Sequence, residues 1–406
     1  MIVSHVPHYR WQGRYWAYAP YAREIDLWAD LFQEVVIAAP LREQAPPGED
    51  CAFTRMNISV EAQREVGGES LAAKAGIALN LPLMVWDLAM TLRKGDAIHV
   101  RCPGNLGLLG ALMAPFFTRR RIAKYAGQWG GAMEEAATVR WQRAILSSRW
   151  WGAPVTVYGK WPDQPAHVIP FFTSVLTASQ VERGRAAAER RSVQPGRPLE
   201  ALFLGRLSEA KNVDVLLRAI ARLRSRGIEM RARILGDGPR AGSLRILAAE
   251  LGVTDLVTFA GGVGYDEVLD ALEQADILTL VSESEGWPKA LAEGMAYGLV
   301  CIGSNRGFVP EMLSQGRGIV VEPRNVDSLA DALGEIALHP ERYADMRAKA
   351  IAWSRDYCLE ALREALRELM IRHWGVPRDA FPALSEGSQG RTVFANTTEK
   401  PWPESA

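Results

Sequence analysis

The sequence predicts an α/β protein made of two doubly wound parallel-sheet domains. Three observations carry this. Residues 1–40 hold two apolar runs, 1–6 and 34–40, on either side of a helical stretch, a βαβ unit that implies a parallel sheet. The alternation of strands and helices restarts at residue 199, after a stretch rich in arginine, proline and glycine. The chain's 406 residues exceed the size at which one hydrophobic core usually stops growing.

The first domain is expected over residues 1–178. Its strand 1–6 leads through a loop containing Gly13 to a helix at 19–32 and a buried strand at 34–40. A long helix at 62–93, a strand at 97–100, a helix at 106–117 and strands at 121–125, 155–158 and 167–170 follow. Residues 179–198 read as a solvated helix and then an interdomain linker ending in Pro195, Gly196, Arg197 and Pro198. The second domain, 199–350, repeats the strand and helix rhythm: strands at 199–204, 231–235, 256–259, 277–281, 300–303 and 318–321, with helices between. Residues 351–375 form helices with Trp353, Tyr357, Leu362, Leu366 and Met370 on one apolar face, and 376–406 is a polar tail expected to be disordered.

Formal charge is zero, with 22 Lys and Arg against 17 Asp and Glu in residues 1–196 and 25 against 30 in the rest. So mild and scattered an asymmetry argues against nucleic acid as a partner, which calls for a concentrated basic stripe. One local cluster stands out, Arg119, Arg120, Arg121 and Lys124, just after the apolar segment 106–117. A solvated helix end accounts for it; the other reading is contact with anionic lipid at the inner membrane face. The four cysteines are scattered and form no Cys-x-x-Cys pair, which fits a reducing, cytoplasmic setting. No secretory leader and no spanning helix are expected, since the apolar stretch 79–92 is short and contains Asn80, Pro82 and Asp87.

The chemistry gathers in the second half. Glu285 and Glu293 stand eight residues apart, one at the end of the apolar run 277–281 and the other in the first turns of the next helix. Acids near a helix start are common for dipole reasons alone. Their neighbours add to the case: Gly286 lets a ligand approach the backbone, Pro288 suits a first helical position, and Gly298 can close the helix. In an open α/β sheet the ligand crevice lies outside the carboxyl ends of the strands, where both carboxylates would face it. Upstream, Gly205 and Arg206 end a strand and Lys211 precedes a helix, so two cations and free helix amides flank one loop suited to a diphosphate.

These residues carry a resemblance. Gly205, Arg206 and Leu207 with Lys211, then Gly236, Asp237, Gly238 and Pro239, then Phe259, Ala260 and Gly261, and finally Ser284, Glu285 and Gly286 followed by Glu293, Gly294, Met295, Ala296 and Gly298 resemble the donor-binding half of family four retaining glycosyltransferases. The resemblance spans about residues 200 to 325 and implies the GT-B fold, two Rossmann-like domains facing a central cleft. It implies that Arg206 and Lys211 bind the donor diphosphate, that Glu285 with the backbone near Gly286, Trp287 and Pro288 holds the transferred sugar, and that Glu293 accepts from the ribose hydroxyls. It also implies retention at the anomeric carbon. No Asp-x-Asp pair and no Cys/His cluster is present, so no metal and no cofactor is expected beyond the nucleotide diphosphate sugar itself.

The first half resembles the family less. Gly13 stands where relatives have a glycine loop near the donor phosphates, and the segment 96–101 resembles an Asp-x-x-His-x-His strand end in which Arg101 replaces the second His, leaving His99 as a candidate catalytic residue or a core side chain. Acceptor-side candidates are His8, Trp11, Arg101, Lys124, Gln128 and Trp129. The expected activity is transfer of a hexose-type sugar to a saccharide or lipid-linked acceptor in surface polysaccharide or glycoconjugate assembly. A GT-B nucleotide-sugar epimerase and a non-catalytic nucleotide or sugar-binding protein are the alternatives.

Overall fold

The structure, a computed structural model, describes residues 1–64, 71–131, 135–191 and 197–381, with side chains from residue 80 onward in the helix Leu71–Leu92. The tail expected at 376–406 falls outside the described residues from 382 onward, as do residues 192–196 of the expected linker.

Two parallel sheets dominate. The first has seven strands in the order Val168–Phe171, Val155–Tyr158, Arg121–Tyr125, Ile98–Cys102, Ile2–Val3, Val35–Ala39, Ile58–Ala62. The second has six, in the order Val257–Gly261, Met230–Leu235, Leu199–Leu204, Ile277–Leu280, Val300–Ser304, Ile319–Val321. Both orders reverse direction in mid-sheet, between Ile2–Val3 and Ile98–Cys102 in the first and between Leu199–Leu204 and Ile277–Leu280 in the second. Such reversal points open a crevice at the strand ends.

Central strands such as Leu199–Leu204 and Ile277–Leu280 are apolar because helices cover both faces of a parallel sheet. The covering helices show the complementary pattern: Val213–Ser225 buries Val213, Leu216, Leu217, Ile220 and Leu223 and leaves its arginines outside. One apolar cluster runs through the second domain and into the helix Ala19–Ala29 of the first; another fills the opposite face of the first sheet. The last helix, Leu359–Trp374, returns to the first domain, where Arg363 pairs with Asp30 at 3.8 Å and the Trp374 indole donates to the Arg121 carbonyl.

Three stretches differ from expectation. The first strand is only Ile2–Val3, and the expected loop is instead a hairpin, His8–Trp11 with Arg14–Tyr18, in a separate four-stranded sheet. Its turn is Gln12 and Gly13, with φ of 50° and 72°, the two-residue geometry that joins aromatic-rich antiparallel strands. The long helix expected from residue 62 is preceded by the edge strand Ile58–Ala62, whose alternation of Ile58 and Val60 inward with Ser59 and Glu61 outward has the period of a strand. The stretch expected as a solvated helix is Ala178–Arg190, opened by a Thr177 and Gln180 capping box and held to the second domain by Arg183, which pairs with Asp270 at 2.6 Å and Glu273 at 2.5 Å.

Candidate functional site

The second sheet's reversal point sets the site. Strand Leu199–Leu204 delivers Gly205, Arg206 and the short 3-10 turn Glu209–Lys211, while the adjacent strand Ile277–Leu280 delivers the loop that carries Glu285. The loops are pressed together backbone to backbone. At Gly236, with φ of 139°, an added Cβ would lie 1.9 Å from the Gly205 carbonyl oxygen, so only glycine fits there. Gly307, with φ of 58°, meets the Glu285 carbonyl in the same way, at 1.7 Å.

Asn212 ties the two loops. It occupies the left-handed region at φ 49°, and its amide donates to the Val281 carbonyl at 2.9 Å and to Glu283 Oε1 at 2.7 Å. The Glu283 amide returns a bond to the Ala210 carbonyl at 2.8 Å. Lys211 is therefore pinned beside Glu285, and its Nζ donates to Glu285 Oε1 at 2.6 Å. Arg206 is exposed and makes no ion pair among the described residues.

Glu293 lies in the helix Lys289–Ala296 and is buried. Tyr265 donates to its Oε1 at 2.9 Å, and Arg23 of the first domain sits over the Tyr265 ring, 3.6 Å from the centroid. Arg23 also donates to the Val175 carbonyl at 2.8 Å. Burial pushes the Glu293 carboxyl up to about 7, against the pull of Tyr265, Lys289 and Arg23. A small cavity between the domains is lined by Glu293 and Lys289 together with Ser174, Val175 and Tyr357. The Tyr18 hydroxyl, at the end of the hairpin, lies within electrostatic reach of both Glu293 and Arg206. The four charged residues expected at the donor site are thus gathered along the domain boundary.

Gly286 touches the first domain directly, facing Tyr158 and the Ala126 carbonyl. Trp287 is buried at the centre of an aromatic cluster, stacked on Phe308 at 5.0 Å and Trp353 at 5.9 Å, with Tyr158 and Phe172 reaching it from the first domain. Its side chain therefore joins the domains, with the indole nitrogen unpaired among the described residues, and Trp287 also lines the small cavity. Pro288 stands at the N-cap position, one residue before the first helical position expected for it, and makes no side-chain capping bond.

On the first domain the expected acceptor residues are mostly engaged elsewhere. Arg101 and Lys124 are neighbours in register on adjacent strands, and both are buried against Glu24, which accepts from Lys124 at 2.7 Å, Arg101 at 3.3 Å and Thr173 at 3.2 Å. Burial opposes the Glu24 charge, but the two cations outweigh it and hold the carboxyl well below the ordinary range. Desolvation lowers Lys124 to about 8 and Lys289, across the boundary, to about 7, with Glu24 opposing each shift.

His99 is buried against Trp28, ring centroids 4.5 Å apart, and burial drops it to about 3, so it is a neutral core side chain rather than an acid or base at the cleft. His8 is likewise buried between Tyr21 and Phe53, with Nδ1 on the Val6 carbonyl, and burial lowers it to about 4. Trp129 packs edge-on against Tyr125 in the core, and Gln128 donates to the Gly131 carbonyl. Gly13 is the turn glycine of the hairpin, with open space around it, and Trp11 is an exposed side chain just before that turn. Gly205 keeps its expected place at the strand end.

Sequence reasoning missed Asn212, Tyr265, Arg23, Glu24 and Lys289. Glu24 alone left a trace: it shares a helical face with Tyr21, Ile25 and Trp28, where an acid needs a buried partner.

The sequence profile of the Glycosyl transferases group 1 matches residues 185–353. The D-inositol 3-phosphate glycosyltransferase of Streptomyces scabiei is 32% identical over 228 residues, 54% of this chain and 51% of the relative. The GDP-mannose-dependent alpha-(1-6)-phosphatidylinositol monomannoside mannosyltransferase of Mycobacterium tuberculosis is 33% identical over 172 residues, 40% of this chain and 45% of the relative. The chain thus spans about half the length of the curated relatives it matches. Among solved structures, Anabaena HepE in complex with UDP and glucose superposes with a TM-score of 0.66 at 15% identity, covering 91% of this chain and 98% of that one. Residues 185–353 are thus similar to the glycosyl transferases group 1, and the two facing parallel-sheet domains have the GT-B fold.

Proposed function

We propose that this chain is a retaining, metal-independent hexosyltransferase. It moves a hexose-type sugar from a nucleotide diphosphate sugar to a saccharide or lipid-linked acceptor in surface polysaccharide or glycoconjugate assembly, working at the inner face of the membrane. The relatives named above act in glycoconjugate chemistry, and the HepE structure holds UDP and glucose.

The observation that carries the reading is the Lys211 and Glu285 pair at the sheet's reversal point, 2.6 Å apart, with the unpaired Arg206 on the same loop. As the bond from the anomeric carbon to the diphosphate oxygen breaks, negative charge collects on the terminal phosphate. Lys211, Arg206 and the free amides at the start of Val213–Ser225 are fixed positive groups for that charge. Glu285, released from Lys211 by the phosphate, accepts from hydroxyls of the transferred sugar, and Glu293 accepts from the ribose. The acceptor hydroxyl attacks the anomeric carbon from the face the diphosphate leaves, and its proton passes to the departing phosphate oxygen, so the products are glycoside and nucleoside diphosphate.

Lys211→Ala tests this. Turnover of the natural donor should fall by about 100-fold or more, chiefly in kcat, with the thermal midpoint little changed. Unchanged turnover would remove Lys211 from the phosphate site. A donor that isomerises without releasing nucleoside diphosphate would make the chain an epimerase instead.

A further inference from the structure

The outer face of the first domain breaks the rule that a surface helix turns polar residues to solvent. Helix Leu71–Leu92 carries only Lys74 and Asp87 as charges over 22 residues. On its described part Leu81, Leu83, Trp86 and Met90 are exposed, Trp86 by 65%. The helix packs beside Asn105–Met113, and just beyond that helix Phe116, 74% exposed, meets the exposed Trp150 edge-on at 5.2 Å. The Thr118 hydroxyl, bonded to the Asp96 carbonyl, ties this second apolar group to the turn that follows the long helix. Scattered single apolar residues need no explanation, but two aromatic and aliphatic groups on adjoining elements do.

Its rim is cationic. Arg93, Arg119, Arg120 and Arg149 are exposed and have no ion-pair partner among the described residues. Asp87 is committed to Arg64 at 2.9 Å. Of the other cations nearby, Arg101 and Lys124 are buried on Glu24 and Lys94 pairs with Glu61, so the rim's charge is that of the four arginines. A second copy docked on the same face about a twofold axis would bring these arginines together, with like charges opposed. An anionic bilayer complements both features, taking indole and phenyl rings at the headgroup boundary and arginines on the lipid phosphates. No helix among the described residues is long and apolar enough to cross a membrane, so the contact is one of lying on the surface.

We infer that the face formed by Trp86, Met90, Phe116 and Trp150, rimmed by Arg93, Arg119, Arg120 and Arg149, is a docking surface for an anionic lipid bilayer. This deepens the membrane reading above and stands apart from the transfer reaction.

The test is co-sedimentation of the full chain with vesicles of phosphatidylcholine containing roughly one part in four of phosphatidylglycerol, beside vesicles of phosphatidylcholine alone. The wild type should bind the anionic vesicles in low salt and lose binding as salt rises. Trp86→Ser with Phe116→Ser should weaken binding by about tenfold or more, and Arg119→Glu with Arg120→Glu by about fivefold or more for each charge reversed. Both variants alter exposed side chains only, so thermal midpoints and the stabilisation by a nucleoside diphosphate should match the wild type. That second readout separates failure of the surface from failure of the transferase reading. Equal binding by wild type and variants, no binding to anionic vesicles, or a wild-type dimer that Trp86→Ser dissociates would each overturn the inference.

Discussion

Tyr265 donates a hydrogen bond to Glu293 at 2.9 Å while Arg23 of the opposite domain covers the same phenol ring, so the buried acid of the second domain is tied to the first through one side chain. The arrangement holds a carboxyl poised near neutrality, because burial outweighs the groups that favour its charge.

A ribose diol needs the ionised carboxylate as acceptor. Nucleoside diphosphate affinity should therefore strengthen as pH rises through about 7, with up to about tenfold lost per unit below that value. Calorimetric titration between about pH 6 and about pH 8 measures it, and Glu293→Gln supplies the baseline for the ligand's own ionisation. Parallel pH curves for wild type and variant would exclude Glu293. Stability moves the other way: the unfolded carboxyl ionises near its ordinary value and the folded one near 7, so the folded chain holds the extra proton and loses stability as pH rises through that window.

Asn212 combines a left-handed backbone with two bonds to the 281–283 loop. Asn212→Gly keeps the backbone and loses the bonds, and should cost about 1–3 kcal/mol. Asn212→Ala adds the steric penalty of the left-handed region, about 1–2 kcal/mol more. Urea denaturation at constant m ranks the two; equal midpoints for wild type and both variants would show that the tie is not a support of the site.

Glu24 is the shared counter-charge of Arg101 and Lys124. Glu24→Gln leaves two buried cations without it and should cost about 3–5 kcal/mol at neutral pH. Since its folded carboxyl titrates below the unfolded one, this stabilisation is full above the ordinary carboxylate range and disappears as pH falls through the folded value. Denaturation midpoints of wild type and variant should therefore converge only in strong acid. A variant as stable as the wild type at neutral pH would mean that the cations find water instead.

Much of the site was legible because its residues sit at positions that strand and helix patterning locates. The apolar runs 199–204 and 277–281 mark strand ends, and Arg206, Lys211, Glu285 and Glu293 follow those ends closely. The first domain was harder. The aromatic runs around Gln12 and Gly13 have strand character, yet a single glycine among tryptophans also suits a loop, and only the pairing of Tyr9 with Trp16 decides between them. Arg101 and Lys124 are cations at strand ends just as Arg206 is, and nothing local distinguishes a charge that faces a cleft from one that faces Glu24, 77 and 100 residues away.

By itself the sequence determined two α/β domains, the order of most strands along the chain, and the charged residues of the second half, because periodicity and turn chemistry act over a few neighbouring residues. Tertiary structure decided which strands lie side by side, and hence that Lys211 reaches Glu285 and that Arg23 covers Tyr265. It also decided which polar groups are spent on one another, since desolvation and ion pairing depend on elements that meet only after the chain has folded.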